Sequence, residues 1–318
     1  MKDYIGIDIS KATIDVYDGK KSYKFSNDEE GFNTIVSLVD DINNAVFIFE
    51  PTGVYSYALT QFCALHSIAV VIVPPKVSKD FAKSLNVRSK TDKIDAQILY
   101  KYQKHIEPNM IKIPQFNDKA IELQEMLNSY EEILDATKRL KNQLESISND
   151  NTLLRTTINN SIDYLLDQAN TLFEKIEQIL LKDEETKERY NALITIPSIG
   201  KKSAIYLIIF FQKYNGANAK EITALVGLDP VYRESGKYKG KQKISKHGGE
   251  RLRVLLFLPT LCATQHNDRI KAFYTRLLSN AKAKKLAVGA AMRKLILLAF
   301  SIYNSKQSYR ALEVEYAN

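Results

Sequence analysis

A run without proline or glycine divides this chain into three parts. Residues 117–182 contain neither residue type and are rich in Leu, Ile, Glu, Lys and Asn. Apolar residues recur there at intervals of three and four, as at Ile121, Leu127, Tyr130 and Leu134. This period predicts two long helices, broken near residues 148–151, in an antiparallel or interchain coiled coil. An ordinary helical bundle between two domains fits the pattern equally well.

The segment before this run has the pattern of an α/β domain. Three short strands are predicted at residues 3–10, 13–18 and 22–27. The segments that follow alternate between helix and strand, at residues 29–42, 44–51, 53–66, 68–75 and 77–85. The strand at 44–51 is continuously apolar, as expected for a central strand covered on both faces. Three antiparallel strands followed by alternating α/β units are the ribonuclease-H-like order.

A further helix, predicted from Thr91, carries a charge where an apolar residue is expected. Its apolar arc comprises four residues: Ile94, Ile98, Leu99 and Tyr102. Asp95 lies inside this arc and Asp92 lies at its edge. An unpaired charge on a buried face is costly, and two aspartates three residues apart on a helix repel each other. A divalent cation would remove both problems.

Two more carboxylates are predicted to meet this acidic pair. Asp8 lies near the end of the first strand and Glu50 at the end of the buried fourth strand. These strands are neighbours in a ribonuclease-H-like sheet, so the four carboxylates Asp8, Glu50, Asp92 and Asp95 would converge. Carboxylate oxygens suit Mg²⁺, with Mn²⁺ as a substitute, and two such ions can activate an attacking oxygen and stabilise a leaving one. Taken singly, each residue could instead serve a turn, an ion pair or a helix terminus.

Charge is distributed unevenly along the chain. Residues 1–189 contain 23 Lys and Arg against 30 Asp and Glu, whereas residues 190–318 contain 22 against 7. Such a basic half predicts a nucleic-acid partner. An anionic membrane is less suitable, because the basic residues are scattered over several segments. Short apolar runs, no leader pattern and two isolated cysteines predict a cytoplasmic protein.

The basic half contains two candidate nucleic-acid elements. Residues 191–211, "NALITIPSIGKKSAIYLIIFF", resemble a helix-hairpin-helix that grips phosphates with backbone amides, although Ser198 replaces its first glycine. Residues 229–253 form a Gly-rich loop running into a helix at Glu250, with eight Lys and Arg against three Asp and Glu. The candidate contacts are Lys201, Lys202, Arg233, Lys237, Lys239, Lys241, Lys243, Lys246, Arg251 and Arg253, with His247 as a further phosphate contact. Structural ion pairs explain Arg251 and Arg253 equally well.

Three segments resemble one known family. They are "GIDISKATIDV", "FEPTGVY" and "RSKTDKIDAQIL", which are similar to the DEDD-type insertion-sequence transposases of the IS110 family, relatives of the pilin-gene invertase. The resemblance implies an acidic tetrad at Asp8, Glu50, Asp92 and Asp95. It also implies a RuvC-like catalytic domain at 1–110, a helical coiled-coil connector at 111–189 and a mainly α, basic transposase domain at 190–318. Members resemble recombinases guided by a structured RNA.

The same resemblance implies a nucleophilic serine at Ser235. From the residues alone, Ser235 precedes Gly236 and lies among cations, which stabilise a phosphoryl transition state. Ser245 is the nearest competitor, and Tyr232 and Tyr238 are the candidates if a tyrosine attacks instead. A loop serine that hydrogen-bonds its own backbone is the structural alternative.

The expected function is therefore a DNA transposase or recombinase that cuts and rejoins strands through a serine–phosphate intermediate. Because serine and carboxylates lie in different domains, we expect a homodimer or homotetramer. A ribonuclease-H-like nuclease or junction resolvase using metal-activated water explains the tetrad as well. A sugar-kinase-like ATPase is disfavoured, because this chain lacks the Gly-Thr phosphate turn expected after Asp8. A DNA-architectural protein would leave Asp95 unexplained.

Overall fold

The computed structural model describes residues 2–86, 91–114, 118–231, 234–235, 238–239, 243–246 and 248–309. For Asp118, Glu234, Ser235, Tyr238 and Lys239 it describes the backbone alone. The chain divides into two compact units, Met1–Phe116 and Asn117–Asn318.

A five-stranded mixed sheet forms the centre of the first unit. Its strands are β1 (Asp3–Ile9), β2 (Thr13–Tyr17), β3 (Ser22–Ser26), β4 (Ala45–Phe49) and β5 (Ala69–Ile72). Their order is β3-β2-β1-β4-β5, with antiparallel pairs on one side of β1 and parallel pairs on the other. The predicted strand order and the predicted contact between the first and fourth strands are confirmed.

The described residues of the first unit include four α-helices. They are α1 (Glu29–Val36), α2 (Tyr57–Leu65), α3 (Pro75–Ser84) and α4 (Asp92–Lys101). Short 3₁₀ helices lie at Ile42–Asn44, Gly53–Ser56, Tyr102–His105 and Pro108–Met110. The helix predicted over 29–42 is shorter than expected. It ends at Val36 because Asp40 and Asp41 would face the negative helix end, and Asp41 instead caps the next turn by accepting from the Asn43 N–H.

The central strand β4 is buried on both faces, as its apolar sequence predicts. Its odd-numbered residues, such as Phe47 and Phe49, pack in the core that contains Phe32 of α1. Its even-numbered residues Val46 and Ile48 pack on the other face, where Leu99 of α4 joins them. The helix carrying the acidic pair therefore covers one face of the sheet.

The second unit begins with the two predicted long helices, α5 (Asp118–Glu145) and α6 (Thr152–Leu180). Near the connection, the Arg155 Nη1 donates to the carbonyl oxygens of Leu144 and Ile147. Further along, the Tyr130 and Phe173 rings lie 5.1 Å apart. The helices therefore form an antiparallel hairpin within one chain, and buried residues of both helices share a core with the helices that follow.

Six further helices share a hydrophobic core with this hairpin. They are α7 (Glu184–Ile194), α8 (Lys201–Lys213), α9 (Ala219–Val226), α10 (Glu250–His266), α11 (Asp268–Ser279) and α12 (Lys284–Ser305). Helix α12 is long and apolar enough to cross a membrane, which the sequence analysis overlooked, but more than half of its apolar stretch is buried inside this unit. Its composition is therefore that of a core helix.

Between α9 and α10 the chain forms a β-ribbon where the sequence predicted a loop. The ribbon consists of β6 (Pro230–Val231), β7 (Glu234–Ser235), β8 (Tyr238–Lys239) and β9 (Lys243–Ile244). Strand β6 pairs with β9 and β7 pairs with β8, both antiparallel. The pairing was overlooked because such two-residue strands have no measurable alternation. Helix α10 begins at Glu250 as predicted.

Candidate active site

The first two carboxylates lie at the same end of the sheet. In the parallel register Gly6 pairs with Ile48 and Ile7 with Phe49, so Asp8 and Glu50 occupy the next position on each strand path. Side chains alternate between the two faces of a sheet. Because Ile7 and Phe49 belong to the core on the α1 face, Asp8 and Glu50 lie on the face that α4 covers.

The third and fourth carboxylates come from the first turn of α4. Thr91 caps the helix, its side-chain oxygen accepting from the Ile94 N–H at 3.3 Å. Asp92, Asp95, Ala96 and Leu99 follow the i, i+3, i+4, i+7 spacing of a single helix face. Ala96 and Leu99 are fully buried against the sheet. The same face therefore carries both aspartates towards the ends of β1 and β4.

A glycine in β1 allows α4 to pack this closely. A Cβ atom added at Gly6 would lie 2.2 Å from the carbonyl oxygen of Ala96 and 2.5 Å from the Tyr100 nitrogen. The buried face is thus centred nearer Ala96 than the predicted arc of Ile94, Ile98, Leu99 and Tyr102. Asp95 is half-buried rather than buried, and Asp92 is exposed at the first turn. The contact depends on two small residues on different elements, so no periodicity reveals it.

The electrostatics of Asp8 show that the four carboxylates share one region. Burial, and after it the charges of Asp95, Asp92 and Glu50, together raise the pKa of Asp8 from 3.8 to about 6. A carboxylate is destabilised in this way when like charges gather around it in a low-dielectric setting. The predicted tetrad is therefore brought together by β1, β4 and α4.

The donor set fits a divalent cation. Four carboxylates supply only hard oxygen ligands, and a cation would relieve the repulsion that raises the Asp8 pKa. In the described ranges, no three His, Cys, Asp or Glu side chains stand close enough together to hold an ion as they are. When bound, such an ion would polarise a phosphodiester and lower the pKa of an attacking hydroxyl.

A fifth carboxylate, which the sequence analysis missed, lies beside Asp8. Asp15 of β2 pairs directly with Asp8 across the antiparallel ladder and adds to the rise in its pKa. The Lys24 Nζ of β3 lies 3.5 Å from the Asp15 Oδ2. The alternation of "TIDVY", with Ile14 and Val16 buried, is the signal that places Asp15 on the Asp8 face. Strand register was needed to make the two neighbours.

The predicted nucleophile lies on the β-ribbon of the second unit. Ser235 is the last residue of β7 and pairs with Tyr238 of β8, where the described atoms are those of the backbone. Tyr232, Arg233, Lys237, Lys241 and His247 lie outside the described residues. The competing Ser245 follows β9. Its hydroxyl donates to the Asp229 carboxylate and its N–H donates to the Asp229 carbonyl at 2.9 Å. Ser245 therefore connects the two chain segments at the base of the ribbon.

Three of the predicted nucleic-acid contacts have partners inside the protein. Arg251 forms salt bridges of 2.7 Å with Glu131 and 2.6 Å with Glu132. Arg253 donates from Nη1 to the carbonyl oxygens of Val226 and Gly248. Arg251 therefore forms the structural ion pairs named as its alternative, whereas the described partners of Arg253 are backbone carbonyl oxygens.

The third such residue is Lys202 in α8. Its Nζ donates to the Tyr130 hydroxyl and lies 4.7 Å from the centre of that ring. It therefore joins α8 to the helical hairpin. Lys201, Lys243 and Lys246 are exposed.

The turn of the predicted helix-hairpin-helix contains a left-handed residue where the motif usually has its first glycine. Ser198 has a φ of 97°, a left-handed value that glycine adopts more easily. The Ile199 N–H donates to the Ile196 carbonyl at 2.9 Å, and α8 begins two residues later at Lys201. The serine thus adopts a left-handed conformation in the turn before α8.

The topology of the first unit, with carboxylates at the ends of β1 and β4 and an acidic pair on a covering helix, is that of a ribonuclease-H-like enzyme that acts on nucleic-acid strands. Comparison with known proteins agrees. Residues 5–150 match the DEDD-type IS110 family model, described as a transposase. Residues 190–275 match the model described as "Transposase IS116/IS110/IS902 family". The chain belongs to the IS110 family of transposases and is a DNA recombinase.

Two curated relatives extend this similarity along the chain. The pilin gene-inverting proteins of Moraxella bovis and Moraxella lacunata are each 28% identical to it over 319 residues. Each match covers 97% of this chain and 98% of the relative. The DEDD-type domain further indicates that the enzyme depends on a divalent metal ion.

Proposed function

We propose that this protein cuts and rejoins DNA through a covalent serine–phosphate intermediate. Asp8, Glu50, Asp92 and Asp95 would hold Mg²⁺, with Mn²⁺ as a substitute, and Ser235 would be the nucleophile. The observation that carries the metal part is the convergence of four carboxylates on one face of the sheet, expressed in the raised pKa of Asp8. A DNA-cutting domain of this kind works where the DNA is, in the cytoplasm.

The chemistry conserves the phosphodiester. A bond forms between the Ser235 Oγ and the scissile phosphorus while one P–O bond to deoxyribose breaks. The serine hydroxyl gives up one proton and the departing sugar oxygen takes up one. Rejoining is the reverse step with another DNA end, so no external energy source is needed. Water would instead release the ends, and they could not be rejoined without energy input.

Two features of the second unit support Ser235 over its competitor. Ser235 belongs to the β7–β8 pair of the ribbon, whereas Ser245 directly follows the β6–β9 pair at its base. The Ser245 hydroxyl already donates to the Asp229 carboxylate, an interaction with a structural purpose. Residues 229–253 also contain eight Lys and Arg, which suit a DNA backbone. Within this segment we assign phosphate contacts to Arg233, Lys237, Lys239, Lys241, Lys243 and Lys246, and in α8 to Lys201.

The partners follow from the distribution of the proposed catalytic residues between the two units. The carboxylates belong to the first unit and the serine to the second, so a complete site needs both units, from one chain or from two. We infer an oligomer, a homodimer or homotetramer, in which one subunit's serine meets another's metal site.

The family resemblance adds a structured guide RNA, which the basic residues 190–318 could hold. We propose the layout 1–110, 111–189 and 190–318 for the three functional parts.

The decisive experiment is a search for a covalent protein–DNA adduct that survives denaturation. Wild type incubated with Mg²⁺ and labelled element-end DNA should form it, supplied with its adjacent structured RNA where required. Ser235→Ala should abolish the adduct, whereas the matched control Ser245→Ala should retain it. Asp95→Asn should abolish the adduct and weaken Mn²⁺ binding measured by calorimetry, because one ligand is lost.

Each alternative has a distinct result in this experiment. An adduct that persists in Ser235→Ala and disappears in Ser245→Ala would move the nucleophile to Ser245. Cleavage by wild type without an adduct would identify a nuclease or junction resolvase that uses water. Equal Mn²⁺ affinity of wild type and Asp95→Asn would contradict the proposed metal site.

A further inference from the structure

The loops that follow Asp8 and Glu50 are joined by one side chain. The Asn27 Nδ2 lies 2.9 Å from the carbonyl oxygen of Ser10, two residues beyond Asp8. The same nitrogen lies 2.9 Å from the carbonyl oxygen of Tyr55, five residues beyond Glu50. Asn27 itself follows β3 and lies far from both carboxylates in sequence.

The chemistry of this contact calls for a side-chain amide. Both partners are carbonyl oxygens, which only accept hydrogen bonds. A single nitrogen that bonds to both must therefore donate two N–H groups. The amide of asparagine has two such groups on a short side chain. The Asn27 backbone is held as well, since its N–H donates to the Ala12 carbonyl at 3.0 Å. Asn27 is therefore fixed at both its main chain and its side chain.

The two joined loops differ in how firmly they are built. The Ser10 turn is braced by its own bonds, with the Ser10 Oγ donating to the Thr13 carbonyl at 2.6 Å. The loop after Glu50 contains Gly53 at a φ of 62° and has strongly exposed Val54. Its internal bond, from the Ser56 Oγ to the Gly53 carbonyl at 3.0 Å, is local. The Asn27 amide connects this loop to the braced turn.

We propose that Asn27 is a positioning residue for the metal site. By joining the turn after Asp8 to the loop after Glu50, it sets the separation of the two strand-borne carboxylates. It touches neither metal nor substrate. The proposal rests on the metal site described under the proposed function, and it adds a residue whose loss should weaken ion binding while all four carboxylates remain.

The experiment measures Mn²⁺ binding to the full-length, metal-free protein by calorimetry. Removing residues that orient metal ligands costs about 10–100-fold in metal affinity. We expect Asn27→Ala to raise the dissociation constant for Mn²⁺ by about tenfold or more. Asn27→Asp is isosteric but presents oxygens to the two carbonyls, and it should lose at least as much. Asn27→Ser keeps a single donor and should fall between these variants and wild type.

Asn44→Ala is the matched control. The Asn44 Nδ2 also donates a hydrogen bond, to the Asp41 Oδ2 at 2.8 Å, but in an exposed turn at the other end of β4. Its Mn²⁺ affinity should equal that of wild type. Thermal unfolding of each metal-free variant shows whether the fold is retained, and the graded Asn27→Ser variant keeps the test usable if Asn27→Ala unfolds.

The outcomes separate this inference from the proposed function. If wild type itself binds no Mn²⁺, the proposed metal site fails. If wild type binds Mn²⁺ and all three Asn27 variants bind it equally well, the metal site stands and the positioning role of Asn27 is overturned. A lower melting temperature with unchanged Mn²⁺ affinity also overturns it, because Asn27 would then support the fold alone.

Discussion

At the scale of single residues, the carboxylates that make the site are also a source of instability. Their residue types and their places on strand ends and a helix could be recognised in the sequence, which is why Asp8, Glu50, Asp92 and Asp95 were predicted together. Asp15 could not be recognised, because its closeness to Asp8 arises from the β1–β2 register. The contacts of Asn27 could not be predicted either, since its partners are backbone carbonyls on loops that are distant in sequence.

The raised pKa of Asp8 predicts how stability depends on pH without metal. The folded-state value of about 6 exceeds the ordinary value of 3.8. The folded protein thus holds the proton more tightly, and stability falls as pH rises between these values. In EDTA at pH 7.5, we expect Asp8→Asn to be more stable than wild type by roughly 1–2 kcal/mol, after allowing for partial exposure. At pH 4 the difference should nearly vanish.

Thermal unfolding followed by circular dichroism at the two pH values would measure this difference. Asp3→Asn, on the same strand but at its opposite end, is the control: it removes a carboxylate outside the site and retains Asp8. A wild type more stable than Asp8→Asn at pH 7.5 in EDTA would mean that burial and the neighbouring carboxylates do not raise the Asp8 pKa as described.

At the scale of secondary-structure elements, the sequence predicted which segments are helices and strands better than how closely they pack. Hydrophobic periodicity and proline or glycine content were sufficient for the five strands and for the two long helices α5 and α6, but not for how these helices pair. They were insufficient for the β-ribbon, whose strands have two residues each. The approach of α4 to β1 was also missed, because it depends on Gly6 facing Ala96, a match between elements ninety positions apart.

This close approach makes Gly6 a sensitive position. In Gly6→Ala the new methyl group would meet the Ala96 carbonyl oxygen at 2.2 Å, so α4 must move away from the sheet. We expect a loss of about 1–3 kcal/mol in stability, as in other overpacked cores. Because α4 carries Asp92 and Asp95, Mn²⁺ affinity should fall as well.

Gly289→Ala provides the comparison for this variant. Gly289 lies within α12, and a Cβ there meets no atom within 4 Å. That substitution should leave stability unchanged or raise it by up to about 1 kcal/mol, since alanine favours helices. Calorimetric titration with Mn²⁺ and thermal melts of both variants test the idea. A Gly6→Ala protein with normal stability and normal Mn²⁺ affinity would refute it.

At the scale of the whole molecule, the candidate catalytic residues are divided between two units. The carboxylates lie in Met1–Phe116, and the candidate serine lies in Asn117–Asn318. The sequence also revealed a basic C-terminal stretch, because charge is a compositional property, with 22 basic and 7 acidic residues from position 190 onward. It could not reveal whether one chain or two supply a complete site, because that depends on assembly rather than on local pattern.

A mixing experiment resolves this question. Ser235→Ala lacks the proposed nucleophile and Asp92→Asn lacks a metal ligand, so each variant alone should be inactive. If the serine of one subunit acts at the metal site of another, mixed dimers contain one site in which both parts are wild type. Random mixing in equal amounts makes half of the dimers mixed, so roughly a quarter of all sites should be intact.

If each chain completes its own site, no mixture contains an intact one. We expect recovery of strand cleavage to about that fraction after the variants are unfolded and refolded together, with each variant refolded alone as control. A mixture as inactive as its components would place serine and carboxylates of the same chain in one site.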